Sequence, residues 1–150
     1  MDLLHEKLSK IIDRERISTN GEYLDELSWD ALSEGRFHPR HQPELAAPLC
    51  AVAPVSTEEV QQLVRFANRE KLPIVPFGGG SGLMGGALSI RSGIVIDLRR
   101  LNRIVHIDAE SRSVRVQAGA VLEAVDLALN PAGFILGHDP WTVPVATIGG

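Results

Sequence analysis

Leu3, Leu4, Leu8, Ile11 and Ile12 recur at helical spacing, which predicts an amphipathic helix over residues 2–16. The periodicity then fades. Between Ser18 and Pro48 the chain carries Gly21, Gly35, Pro39, Pro43 and Pro48, and it reads as irregular with one short helical turn. Leu49-Cys-Ala-Val-Ala53 is an apolar run suited to a buried strand. Ser56-Thr-Glu-Glu59 places a hydroxyl at a helix N-cap and a carboxylate three residues on, the pattern of a capping box. Val60, Leu63, Val64 and Ala67 follow on one helical face, so a helix runs to about Glu70 and ends before Pro73. Pro73-Ile-Val-Pro-Phe77 and Ile94-Val-Ile-Asp-Leu98 read as further strands. Ile104-Val-His-Ile107 and Val114-Arg-Val-Gln-Ala118 read as a hairpin around residues 109–112. Val121, Leu122, Val125 and Leu129 mark a last helix, stopped by Asn130-Pro131. The order begins like a βαβ unit and then turns antiparallel, so the expected class is α+β with a partly parallel sheet.

Composition narrows the function classes. The chain has 150 residues, enough for one core; 44% are hydrophobic and 23% charged. A net charge of −4 gives no footprint for nucleic acid. No apolar run reaches the roughly 18 residues of a membrane helix. Charges in the first ten residues exclude a signal peptide there, so a cytoplasmic protein is expected. The lone Cys50, set in an apolar run, reads as a buried thiol. His38 and His41, separated by a proline, lack the partners of a metal site. His106 alternates with apolar residues and reads as a surface position, and Arg99, Arg100 and Arg103 as a solvated basic face.

The candidate chemistry lies between Phe77 and Leu88. Six of the nine residues from Gly78 to Gly86 are glycine, directly after a strand. Ordering so many glycines costs conformational entropy, which is tolerated where backbone must approach a ligand closely. Consecutive backbone N–H groups then grip a phosphate. Gly80-Ser-Gly82-Leu-Met-Gly85 matches the dinucleotide fingerprint, and Asp97 follows Gly80 by seventeen residues. Only Gly86 to Ser92 precedes the next strand, however, which leaves about two turns for the helix a Rossmann unit needs. A Walker A loop is excluded because no lysine follows the glycines. A solvated linker would be more polar than Leu83, Met84, Ala87 and Leu88 allow.

The remaining arrangement is a loop that wraps a diphosphate with main-chain amides alone. Pro76-Phe-Gly-Gly-Gly-Ser-Gly82 with Gly85-Gly-Ala87 resembles the diphosphate loop of the vanillyl-alcohol-oxidase-type (PCMH) FAD-binding domain. Ala53–Val60, Ile94–Leu98, Asn102–Ile104, Val116–Gly119 and Leu27–Asp30 resemble neighbouring segments of that family. Asp139-Pro140 and Ala146-Thr-Ile-Gly-Gly150 resemble its second flavin-contacting segment, so the likeness runs from about residue 17 to 150.

The resemblance implies that Pro76, Phe77, Gly78, Gly79, Gly80, Ser81 and Gly82 hold the FAD diphosphate. Trp141, Thr142, Thr147, Gly149 and Gly150 would meet the diphosphate and flavin from the second segment. Trp141 has an apolar-packing reading beside this one, and His138 a structural reading beside a flavin-facing one. Family members with covalent FAD often carry histidine where Ser81 stands, so the resemblance implies non-covalent FAD. It also implies residues 1–45 as a lead-in and 46–150 as the first part of the FAD-binding domain, with the cap domain and catalytic residues elsewhere. The expected parent is an FAD-dependent oxidoreductase acting on a 2-hydroxy acid of the D-lactate or glycolate type. An alkyl-dihydroxyacetonephosphate-synthase-like flavoenzyme and a non-catalytic nucleotide-binding module are the alternatives. The 150-residue chain itself is expected to be a catalytically silent fragment that binds FAD weakly if at all.

Overall fold

The structure is a computed structural model, and it describes residues 3–32 and 46–149. Three strands form the parallel heart of a four-stranded sheet. They are β2 (Cys50–Val52), β4 (Ile94–Asp97) and β3 (Ile74–Phe77), with β4 between the other two. Ile94 is paired with both Cys50 and Ile74, and Phe77 with Asp97. β3 lies at the edge, which is where Pro76 is tolerated, because a proline has no N–H for a ladder. A two-residue strand, β1 (Ile17–Ser18), adds antiparallel to β2 on the other side.

Alternation along the strands divides the core into two layers. Cys50, Val52, Ile94 and Ile96 face Leu63 and Phe66 of helix α3 (Thr57–Glu70), together with Leu8 and Ile12. Ala51, Val95 and Phe77 face Leu24 and Leu27 of the second helical segment and Ala87 beyond the glycine loop. Cys50 is buried, in accord with its sequence context.

Helix α3 starts and stops by capping. Ser56 Oγ accepts the Glu59 N–H at 3.2 Å, half of the expected box. The Glu59 carboxylate instead accepts the Val55 N–H and a two-point contact from Arg16 at 2.6 and 2.7 Å. Those hydrogen bonds from Arg16 hold the Glu59 carboxyl below its ordinary value. At the far end Lys71 takes a left-handed conformation, and the Lys71 and Leu72 N–H groups both close on Ala67 O.

The first helix departs from expectation. Helix α1 covers only Leu3–Leu8, and a 3₁₀ turn follows at Arg14–Arg16. The apolar spacing over residues 2–16 does place Leu8 and Ile12 in the core, but through a run of turns. The short helical turn expected in the irregular stretch is α2 (Gly21–Glu26), with Asn20 accepting the Tyr23 N–H as its cap. The hairpin is β5 (Ile104–Asp108) with β6 (Ser113–Val116), and it forms its own two-stranded sheet. Helix α4 (Leu122–Leu129) packs Val125 and Leu129 against it, and a 3₁₀ turn containing Pro131 follows. No described helix is long and apolar enough to cross a membrane. Among the described residues no group of three or more His, Cys, Asp or Glu side chains could hold a metal; His38 and His41 lie outside those residues.

Candidate functional site

Open sheets of parallel strands present their ligand sites beyond the carboxyl ends of the strands. Here those ends carry the glycine loop after β3, and Asp97 at the end of β4 with Leu98 and Arg99 following it. Between them lies an open hollow of about 510 Å³. Phe77, Gly78, Gly79 and Gly80 line one side, Arg99 and Val145 another, and Glu26, Trp29 and Asp30 close it.

The loop is anchored to the second glycine segment. The Gly79 N–H donates to Thr147 Oγ1 at 3.2 Å. A Cβ on Gly79 would stand 1.9 Å from Val145 O, so the two backbones touch there and no side chain fits. Gly80 has φ +61°, a left-handed conformation that glycine adopts without penalty. The N–H groups of Gly80, Ser81 and Gly82 donate to nothing among the described residues. Three consecutive unpartnered amides, with the Ser81 hydroxyl beside them, form a donor set suited to phosphate oxygens. No helix opens after Gly86; turns and bends lead to β4, which removes the Rossmann arrangement.

The second segment is held in turn by the strand-to-helix connection before α4. Ile148 N–H donates to Ala120 O and Gly149 N–H to Ala118 O, while Leu122 N–H donates to Ala146 O. Thr142 closes a turn, its carbonyl accepting the N–H groups of Val145 and Ala146. Thr147 and Gly79 are therefore brought together, with Gly149 one connection behind them. Trp141 is 81% exposed, so it is not packed among the described residues, and it does not line the hollow. His138 is exposed on a separate hollow beside Asp126 and Asp139. Pro76 is exposed on the edge strand and Phe77 is buried beneath the loop. Gly150 lies outside the described residues.

Below the loop sits a polar network that sequence reading missed. Asp97 is only 4% exposed, and it accepts hydrogen bonds from Tyr23 Oη at 2.6 Å and from Arg99 Nε and Nη2 at 3.0 Å. Arg99 also reaches Glu26 at 3.1 Å, and its guanidinium lies 5.3 Å from the centre of the Phe77 ring. Arg99 is thus tied into the site, which corrects its reading as part of a solvated basic face; Arg100 and His106 are exposed. Burial pushes the Asp97 carboxyl upward, but the hydrogen bonds from Arg99 and Tyr23 outweigh it and hold the group below its ordinary value. Burial raises the Tyr23 hydroxyl, and the Asp97 carboxylate raises it further. Tyr23 and Asp97 are 74 positions apart, so no local motif announces the pair.

Residues 48–150 match the family described as FAD binding domain. A D-2-hydroxyglutarate dehydrogenase of Xanthomonas citri pv. viticola is 41% identical over 103 residues, covering 69% of this chain and 22% of that protein. An alkyldihydroxyacetonephosphate synthase of Dictyostelium discoideum is 35% identical over 107 residues, covering 69% and 18%. A solved alkyldihydroxyacetonephosphate synthase superposes with a TM-score of 0.84 at 25% identity, over 99% of this chain and 28% of that one. Likeness to p-cresol methylhydroxylase, TM-score 0.73 at 22% identity over 97% of this chain and 27% of that one, is a likeness of fold. The chain thus spans 22% or less of the length of the two curated relatives.

Proposed function

The chain belongs to the FAD binding domain family, and from that membership we propose that its glycine loop and second segment hold the diphosphate of FAD. The observation that carries this reading is the row of unpartnered amides at Gly80, Ser81 and Gly82, fixed beside Thr147 by the Gly79 hydrogen bond. Phosphate oxygens would take those N–H groups and the Ser81 hydroxyl, with Gly78 and Gly79 giving close approach. In this reading Thr142, Gly149 and Gly150 serve the cofactor from the second segment, and Trp141 offers an exposed aromatic face to the flavin or adenine. Residues 46–150 are then the first part of the cofactor domain and 1–45 its lead-in; the family match opening at residue 48 supports that boundary.

The relatives support a parent enzyme of the FAD-linked oxidoreductase class. In our reading it oxidises a 2-hydroxy acid of the D-lactate or glycolate type. When bound, the flavin would supply a hydride acceptor at N5 for oxidation of the substrate alcohol to a carbonyl. This chain's residues bind and orient the cofactor, and none of them is assigned to acid or base work. Turnover of a 2-hydroxy acid by this chain alone would contradict that division of labour.

A second reading, a flavoenzyme of the alkyl-dihydroxyacetonephosphate synthase kind, draws on the structural likeness at TM-score 0.84 and on His138-Asp-Pro140. The parent protein distinguishes the two. Loss of oxidised-flavin absorbance on adding D-lactate, glycolate or D-2-hydroxyglutarate without oxygen supports the first; flavin that these acids leave oxidised supports the second, which uses the flavin without net redox change.

Ser81 has no ring nitrogen to bond the flavin, so the cofactor should dissociate. After acid precipitation of the loaded protein, the yellow colour is expected in the supernatant. Colour that stays with the pellet would contradict dissociable binding.

A further inference from the structure

The hollow beside the phosphate loop is acidic. Glu26 and Asp30 line it and Asp97 lies behind, against the single guanidinium of Arg99. Arg99 is already engaged by Asp97 and Glu26. Asp30 is different. Its Oδ1 accepts the Leu32 N–H at 2.9 Å, but its buried Oδ2 has no hydrogen-bond partner among the described residues. That oxygen lies 3.3 Å from the point a Cβ on Gly82 would occupy. By covalent geometry it is then within about 6 Å of the Gly82 amide, one of the three unpartnered donors. A carboxylate that pairs with no cation among the described residues therefore stands beside the amides that would hold an anion.

We propose that Asp30 is a specificity-determining residue that filters ligands by charge. Resting on the FAD reading, it makes the loop accept the bridging diphosphate of a dinucleotide and disfavour the terminal phosphates of mononucleotides. The bridging diphosphate has one ionised oxygen on each phosphorus. The terminal phosphate of ADP adds a further negative charge, as do those of inorganic pyrophosphate. The amides attract every such ligand, whereas Asp30 repels each in proportion to its charge. At a separation of about 6 Å in a watery site, one extra unit charge changes affinity by about threefold.

The test compares the dissociation constants of FAD and ADP for the chain and its Asp30→Asn variant, read from amide shifts in NMR spectra. Asparagine keeps the oxygen that accepts the Leu32 N–H, so the turn is retained while the charge is lost. In the variant both ligands should bind more tightly, and ADP should gain on FAD by about threefold. Asp30→Ser, which keeps a turn acceptor, should act in the same direction if the asparagine variant does not fold. In the unaltered chain molar salt should shrink the discrimination, because ions in the open hollow screen the charge of the ligand. An unchanged or reversed FAD-to-ADP ratio in a folded variant overturns the role of Asp30 and leaves the FAD reading standing. Failure of the unaltered chain to bind either ligand overturns both.

Discussion

Replacing Gly79 with alanine should weaken FAD binding and loosen the fold around the loop. The added Cβ would sit 1.9 Å from Val145 O and 2.8 Å from its carbonyl carbon. Both are backbone atoms, and they cannot swing aside as a side-chain tip can. Val145 is itself held through its N–H to Thr142 O, and Ala146 through its carbonyl to the Leu122 N–H. The clash must be relieved by moving the glycine loop away from the second segment, which breaks the Gly79–Thr147 hydrogen bond and separates the two walls of the site. Overpacking of this kind costs about 1–3 kcal/mol of stability. Binding should suffer more, because the donors no longer converge, and the dissociation constant for FAD should rise by about 100-fold or more, using tenfold per 1.4 kcal/mol. Gly86→Ala is the control. Nothing lies within 4 Å of its added Cβ, so stability and binding should hardly change. Denaturant unfolding and FAD titration of the two variants check both statements, and equal behaviour would remove the backbone contact from the account.

The second large effect belongs to Asp97. Asparagine at this position puts an amide where the carboxylate accepts from Tyr23 and Arg99, and it leaves the guanidinium without its buried counter-charge. Breaking a buried pair by removing one partner costs about 3–5 kcal/mol. Arg99 is 39% exposed and retains Glu26, so the lower end of that range is expected. The loss should vary with pH. The folded Asp97 carboxyl titrates below its ordinary value, so its stabilisation is present above the unfolded value of about 3.9 and fades as pH falls through the lower folded value. The gap between the unaltered chain and Asp97→Asn in denaturant unfolding should be constant near neutrality and close in acid. A gap that persists at the acid end would assign the effect to shape instead of charge. Phe77 lies under Arg99, so the variant should also weaken FAD binding through the start of the loop.

Periodic elements were legible in the sequence because their signals are local. The Ser56 cap and the apolar stripe of α3 fix that helix within one chain segment, and the runs at Cys50 and Ile94 are apolar because both faces of those strands are covered. The failures have equally local causes. β1 is two residues long, too short to show alternation, and it exists because Ile17 and Ser18 pair with Val52 and Ala51. The helical spacing of residues 2–16 records which side chains face the core, and it does not record that the chain reaches that face through turns after Leu8.

The site divides in the same way. Glycine composition announces a backbone surface, and the repeated glycine segment near the C-terminus gives it a partner, which the Gly79–Thr147 hydrogen bond joins. The Tyr23–Asp97–Arg99 network and the unpartnered Asp30 oxygen depend on contacts between distant segments, and no spacing rule points to them. Asp97 did stand out in the sequence, but as an acidic residue after a glycine fingerprint. In the structure it holds Arg99 and Tyr23 behind the loop.

In the proposed function the amides of the glycine loop hold the FAD diphosphate. The most direct measurement is an NMR titration of the isotopically labelled chain with FAD, following backbone amide shifts. The signals of Gly80, Ser81 and Gly82 should move first and furthest, with Gly79 and Thr147 alongside, even if binding is weak. Signals that stay fixed in the loop while others move, or no movement up to millimolar FAD, would contradict it.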